Sequence, residues 1–315
     1  MVHVEAYMRD YLAYLQLPQP MRTILQELLS APGKQLRPML TLLAAEALHA
    51  DTAQTDRVCR LGALLEIVHM ASLVHDDVVD DAPLRRGLPT TQGVYGKNIA
   101  VYTGDFLLSR VLSALLTEQM NRSGEVIAKA VEAMCLGETA QMQARFDAGV
   151  TEEQYLGFIR GKTVALFSAA FLIAGIESGA SEALLEKLEE LGVCFGYVFQ
   201  LRDDLLDYIS EDTKEGKAVH ADIKAGYYTL PLIRALAGER GEELRSLLEQ
   251  VNALDNADAA VSDILRILKE QGAFEETRER IVSYANRGLT LLAECTDGEK
   301  AGRIADILRW LAELE

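Results

Sequence analysis

Phe106-Leu107-Leu108-Ser109-Arg110-Val111-Leu112-Ser113-Ala114-Leu115-Leu116 sets apolar residues three and four positions apart, the period of a helix face rather than the alternation of a strand. The same period extends outward in both directions. No proline occurs between Pro89 and Pro231, so nothing there removes a helical N–H or clashes with the preceding turn. Thr151 followed by Gln154 is a capping box that starts a helix near 152. Gly179-Ala180-Ser181 marks a break. The pattern predicts helices over 3–16, 20–31, 37–49, 56–81, 92–118, 122–147, 152–178, 182–210 and 228–238, then shorter ones to the C-terminus, with almost no strand. The one loop bearing both glycine and proline runs from Ala82 to Gly93, and no Ser/Gly-rich linker or repeat divides the chain. The expectation is a single all-α domain over residues 1–315, with a long apolar helix wrapped by others.

Of 315 residues, 49% are hydrophobic, enough for a large core, and 31 basic side chains face 48 acidic ones for a net charge of -17. That balance argues against a general nucleic-acid or anionic-membrane binder, and an anionic substrate would need local cations. Cys59, Cys135, Cys194 and Cys295 form neither a CxxC pair nor a disulfide framework, which points to a reducing cytoplasm. The N-terminus has no basic segment followed by an apolar run. The apolar stretch Val164 to Ile176 is too short and too closely flanked by charge for a membrane span, so no transmembrane segment is expected.

Two acidic runs carry the chemistry: His75-Asp76-Asp77-Val78-Val79-Asp80-Asp81 and Asp203-Asp204-Leu205-Leu206-Asp207. On a helix, Asp76 with Asp80 and Asp203 with Asp207 present paired carboxylates one turn apart. Like charges at that spacing cost a few tenths of a kcal/mol, so two such pairs within apolar segments call for a cation. Hard oxygen donors favour Mg2+, which takes one or two carboxylates and completes its octahedron with water and phosphate oxygens. A single run of this kind would fit a solvated helix face equally well. The spacing does not match an EF-hand calcium loop.

The longer run Glu66-Ile67-Val68-His69-Met70-Ala71-Ser72-Leu73-Val74-His75-Asp76-Asp77-Val78-Val79-Asp80-Asp81, with Arg85-Arg86-Gly87 after it, resembles the first aspartate-rich motif of trans-polyprenyl diphosphate synthases. Phe199-Gln200-Leu201-Arg202-Asp203-Asp204-Leu205-Leu206-Asp207 is similar to that family's second motif, and Gly33-Lys34-Gln35-Leu36-Arg37-Pro38 to its early basic motif. Family-like segments run from about 30 to 235. The resemblance implies an isoprenoid synthase helical bundle with a central active-site cavity, acting as a homodimer. It implies substrates too: isopentenyl diphosphate and an allylic diphosphate.

By the same resemblance, Asp76, Asp80, Asp203 and Asp207 would be metal ligands. Lys34, Arg37, His69 and Arg86 would hold isopentenyl diphosphate, while Arg85 and Lys217 would hold the allylic diphosphate. Lys162, Thr163 and Gln200 would lie near the reacting carbons. His75 has no metal role from its motif position alone. Ionisation of the allylic carbon–oxygen bond, attack by the isopentenyl double bond and loss of a proton need no enzymic nucleophile, and no Ser-His-Asp or Cys-His pattern is evident. The chain departs from the family at Gly226-Tyr227-Tyr228-Thr229, where Gly-Lys-x-Thr is common; Tyr227 replaces a lysine, for which Lys224 is a candidate substitute.

Product length should depend on turns upstream of Asp76, each about 5.4 Å deep. Ala71 and Ser72 are small where short-chain members carry an aromatic, so the expectation is a medium or long product, hexaprenyl to octaprenyl, with Met134 a possible deeper floor. Their small size would equally suit close helix approach. Two other readings remain at this point: a class I terpene cyclase, whose second motif mixes Asn or Asp with Ser/Thr and Glu, and the catalytic subunit of a heterodimeric synthase.

Overall fold

A computed structural model describes residues 1–12, 17–30, 33, 35–85, 87–210, 220–253 and 257–313. The described chain is helical apart from one hairpin. Its helices are α1 (Val2–Leu12), α2 (Met21–Ser30), α3 (Leu36–Ala47), α4 (Thr52–Val79), α5 (Thr91–Tyr95), α6 (Lys97–Thr117), α7 (Asn121–Gln143) and α8 (Glu152–Ile159). After a π-helical turn over Arg160–Val164 come α9 (Ala165–Glu177), α10 (Glu182–Ile209), α11 (Ala221–Ala225), α12 (Leu230–Leu236), α13 (Gly241–Ala253), α14 (Asp258–Glu270), α15 (Ala273–Cys295) and α16 (Gly298–Ala312). Strands β1 (Leu84–Arg85) and β2 (Leu88–Pro89) pair antiparallel.

Two compact units emerge, one of residues 1–131, 169–189 and 295–304, the other of 132–168, 190–294 and 305–315. In the first, α4 is the central helix and packs against α1, α3 and α6. Its middle stretch, 61–68, is buried on every side and almost wholly apolar: Leu61, Ala63, Leu64, Leu65 and Ile67 are fully buried. Asp51 and Gln54 start it with a reciprocal capping box, four residues before the expected 56. The helix stops where Asp81 enters the left-handed region at φ 52°, just ahead of Pro83.

In the second unit, Gly192 and Gly196 let α10 approach the segment after α8 at backbone distance. An added Cβ would stand 2.6 Å from Ser168 Cα at the first and 2.6 Å from Val164 Cα at the second. The same four-residue step leads on to Gln200 and Asp204, which are thereby aimed at the π turn and α8. Stacking of Tyr197 on Tyr284, centroids 4.7 Å apart, holds the other flank.

The capping box at Thr151 and the break at 178–181 are where the sequence placed them. Other helices differ from the expected bounds as well. The expected helix 92–118 is two, because Gly96 at φ 85° breaks it. The helix expected to reach 147 ends at Gln143, and the one over 152–178 carries the π turn. Three helical stretches, Thr52–Val79, Lys97–Thr117 and Glu152–Glu177, are long and apolar enough to cross a membrane by length and composition. Of their most apolar windows, 67%, 39% and 56% is buried inside the protein. The short run read in the sequence thus underestimated the helices that contain such runs.

Candidate active site

The two aspartate motifs share one local design, in which the inner aspartate is consumed by the fold. Asp76 and Asp80 stand one turn apart at the end of α4, half-buried and exposed respectively. Asp77 between them is buried and accepts a hydrogen bond from Arg85 Nε at 2.7 Å. Burial raises the Asp77 pKa, and the Arg85 guanidinium opposes that rise. Arg85 sits on β1, and the hairpin returns to the helix end through Thr90 Oγ1 and Gln92 Nε2, which both donate to Ala82 O.

On α10, Asp203 is exposed, Asp207 half-buried and Asp204 buried. The Asp204 carboxylate accepts from the Tyr155 hydroxyl and, at 2.6 Å, from Gln200 Nε2. Burial pushes its pKa up to about 7 despite those two donors. Thr163 Oγ1 donates to Gln200 Oε1 at 2.6 Å, which fixes the orientation of the amide. Asp207 Oδ2 accepts from the Asp222 backbone N–H at 3.3 Å, and His220 Nδ1 lies 3.0 Å from Asp207 O.

Lys162, in the π turn, is 2.8 Å from Glu138 Oε2 and donates to Gln141 Oε1 at 3.1 Å. Its place depends on two glycines. A Cβ on Gly137 would lie 2.6 Å from Lys162 N, and one on Gly161 would lie 2.4 Å from Ala133 O. Such π turns recur at functional sites because they re-aim side chains out of helical register.

Arg37 on α3 is buried beside Glu66 of α4. Burial lowers the Arg37 pKa to about 10 and raises that of Glu66, with each charge partly restoring the other. His69 and Ser72 are half-buried on α4, on the side of Asp76, and Ser72 Oγ donates to His69 O. Ala71 is fully buried. His75 is turned toward α6, with Nε2 3.2 Å from Val101 O and 3.5 Å from Asp105 Oδ1, in space left by Gly104. Met134 is half-buried on α7. Lys34, Arg86 and Lys217 lie outside the described residues. Lys224 is taken up by Asp258 at 2.8 Å.

Tyr155, Glu138 and Gln141 were not singled out in the sequence. A tyrosine four residues past an N-cap carries no motif, and Glu138 and Gln141 reach Lys162 only because Gly137 admits the π turn. Among the described residues no three His, Cys, Asp or Glu side chains converge into a ready metal cage. Outer aspartates in pairs are the donor set of an ion that takes its remaining ligands from water and phosphate. A surface depression of about 450 Å³ in the second unit, lined by Arg234, Arg240, Glu270 and Glu276 among others, contains none of the aspartate-motif residues. Its arginines are neutralised by Glu152, Glu276, Glu243 and Glu270.

A family model described as polyprenyl synthetase matches residues 18–268. Component 2 of a heptaprenyl diphosphate synthase from Geobacillus stearothermophilus is 32% identical over 286 residues, which cover 91% of this chain and 87% of that one. A geranylgeranyl diphosphate synthase from Saccharolobus solfataricus is 33% identical over 265 residues, 82% of this chain and 76% of the other. Among solved structures, a decaprenyl diphosphate synthase from Rhodobacter capsulatus superposes with a TM-score of 0.90 at 32% identity, covering 99% of this chain and 95% of that one.

Proposed function

The chain belongs to the polyprenyl synthetase family, and from that premise we propose that it is a trans-polyprenyl diphosphate synthase, extending an allylic diphosphate with isopentenyl diphosphate. The observation that carries the reading is the split within each aspartate motif. Asp77 and Asp204 are buried and held by Arg85, Tyr155 and Gln200, whereas Asp76 with Asp80 and Asp203 with Asp207 are exposed or half-buried pairs at one-turn spacing, which would hold magnesium. When bound, Mg2+ neutralises charge on the departing diphosphate.

The chain's own residues supply the rest. Lys162, oriented by Glu138 and Gln141, places a cation beside the leaving diphosphate. The oxygens of Thr163 and Gln200, locked to each other, present fixed dipoles to the allylic cation as it forms. Arg37 and His69, with Lys34 and Arg86, hold isopentenyl diphosphate so that its double bond meets the cation; Arg85 and Lys217 bind the allylic diphosphate. Loss of a proton from the condensed chain regenerates an allylic diphosphate one unit longer.

Relatives named for heptaprenyl, decaprenyl and geranylgeranyl products do not select a product length by identity alone. The small side chain of Ser72, one turn upstream of Asp76, leaves the path open and supports a longer product, which we put at hexaprenyl to octaprenyl. A homodimer covers the apolar face that α6 exposes through Val101, Leu112 and Leu116. We place the enzyme in the cytoplasm, in keeping with four cysteines that form no disulfide.

Purified chain incubated with magnesium, farnesyl diphosphate and labelled isopentenyl diphosphate should yield polyprenyl diphosphates that chromatograph at six to eight units. A cyclised hydrocarbon would select a terpene cyclase instead. Activity appearing only after a second polypeptide is added would select the heterodimer.

A further inference from the structure

We propose that Arg145 is a diphosphate-binding residue of this enzyme, occupying the role of the loop lysine that Tyr227 replaces; the proposal rests on the function set out above. Arg145 lies two residues past the end of α7, seven residues beyond Glu138 and four beyond Gln141, the two side chains that meet Lys162. Its guanidinium donates to Ala225 O through Nε at 2.9 Å and Nη2 at 2.7 Å. It also stacks on the Tyr227 ring at 4.9 Å. Lys162 Nζ lies 5.9 Å from the centroid of that ring. Tyr227 therefore gathers two cations about one aromatic surface, within the range at which ring and cation attract.

The mounting is built. Phe146 N donates to Gly226 O at 2.8 Å, and Gly226 takes φ 80°, where a Cβ would strike the Phe146 ring at 2.4 Å. Backbone and side-chain bonds thus clamp the turn after α7 to the turn bearing Tyr227. In a chain with 48 acidic and 31 basic side chains, most described arginines are paired with carboxylates, yet Arg145 meets none among the described residues and its side chain is exposed. Two of its five N–H donors are spent on Ala225, and the others form the planar fork that suits phosphate oxygens. Lys224, the candidate substitute in the sequence, is held by Asp258. Tyr227 is then the platform that orients a cation from another segment, rather than simply a lost contact.

Arg145→Gln should raise the KM for farnesyl diphosphate roughly tenfold or more, the scale of one hydrogen bond to a charged group, without moving the KM for isopentenyl diphosphate. Calorimetric affinity for inorganic pyrophosphate with magnesium should fall by a similar factor. Adding Tyr227→Lys to Arg145→Gln should recover both losses, since a lysine then grows from the clamped turn. The assignment is overturned if Arg145→Gln leaves primer KM and pyrophosphate affinity unchanged, if it raises both KM values alike, or if the double variant is no better than the single. Should the wild-type chain extend no primer while pyrophosphate binding still depends on Arg145, the diphosphate site stands and the synthase reading fails.

Discussion

Arg85 Nε donates to Asp77 Oδ1 at 2.7 Å, tying the hairpin back onto the last turn of the helix it follows. This relationship gives Arg85 a bracing role beside the substrate contact that the motif implies. Removing it by Arg85→Leu strands a buried carboxylate. That costs about 1–3 kcal/mol for a fully enclosed group, and nearer 1 kcal/mol here because the Arg85 side chain is 40% exposed and water can enter. The sign with pH is fixed by the direction of the Asp77 shift. Its folded-state pKa is raised, so the folded state keeps the proton longer, and stability falls as pH rises from the unfolded value through the folded one. Losing Arg85 raises that pKa further. Chemical denaturation should therefore show a larger deficit for Arg85→Leu at pH 8 than at pH 5, and Asp77→Asn in the same chain should remove most of it. A deficit that does not vary with pH would mean that Arg85 does not stabilise the Asp77 charge.

The inner and outer aspartates of the second motif should respond oppositely to amidation. Asp204→Asn preserves the acceptor for Gln200 and leaves a group that can still bond the Tyr155 hydroxyl, while removing a charge that burial disfavours. Stability at pH 8 should be equal to or above that of the parent. Asp203→Asn and Asp207→Asn alter side chains that are exposed and half-buried, so folding should persist while turnover falls by at least a hundredfold, on the order expected for loss of an electrostatic catalytic contact. Thermal melting and labelled-substrate assays on the three variants check this together. Equal loss of turnover in all three, with equal stability, would place Asp204 among the metal ligands.

Ser72 and Ala71 cannot be tested in the same way. Ser72 lies roughly 40° around α4 from Asp76, whereas Ala71 lies roughly 140° away and is fully buried. Ala71→Phe would force a ring into packed core and cost about 1–3 kcal/mol, confounding any change in product. Ser72→Phe places the ring on the aspartate face of a half-buried position. Its product should shorten by two or more isoprene units, about 5 Å of helix rise being closed per turn. Reversed-phase chromatography of dephosphorylated products decides it, and an unaltered product distribution would remove Ser72 from the chain-length path.

What could be read from residues alone followed from periodicity. The paired carboxylates at 76 and 80 or 203 and 207 depend only on helical spacing, and the buried middle of α4 is visible in the apolar composition of 61–68. Four features escaped, because they rest on contacts or on local backbone geometry that periodicity does not carry. The burial of Asp77 needs the hairpin to bring Arg85 back, and that of Asp204 needs Tyr155 from a different helix. A π turn adds one residue to a helical loop without disturbing the apolar pattern, so 152–178 reads as uninterrupted. Tyr227 was visible as a departure from the family, but Arg145, an arginine in a turn with no motif around it, became informative only once Ala225 and Tyr227 were seen against it.

The π turn also supplies the sharpest test of how Lys162 is placed. Gly161 faces Gly137 so closely that an added Cβ would stand 2.4 Å from Ala133 O and 2.9 Å from Gly137 Cα, both backbone atoms that cannot swing aside. Gly157, one turn earlier on α8, has nothing within 4 Å of the same hypothetical atom. Alanine at 157 should therefore stabilise by roughly 0.5–1 kcal/mol through helix propensity. Alanine at 161 carries the same propensity gain but must push α7 from the π turn, for a net loss of about 1–3 kcal/mol. Because Glu138 and Gln141 ride on α7, that displacement breaks the bonds that orient Lys162, and kcat should fall more than the KM for either substrate rises. Gly157→Ala, on the same helix, should leave kcat unchanged. Paired melting curves and steady-state kinetics separate the outcomes: a Gly161→Ala enzyme with parental stability and kcat would show that the two glycines do not set the position of Lys162.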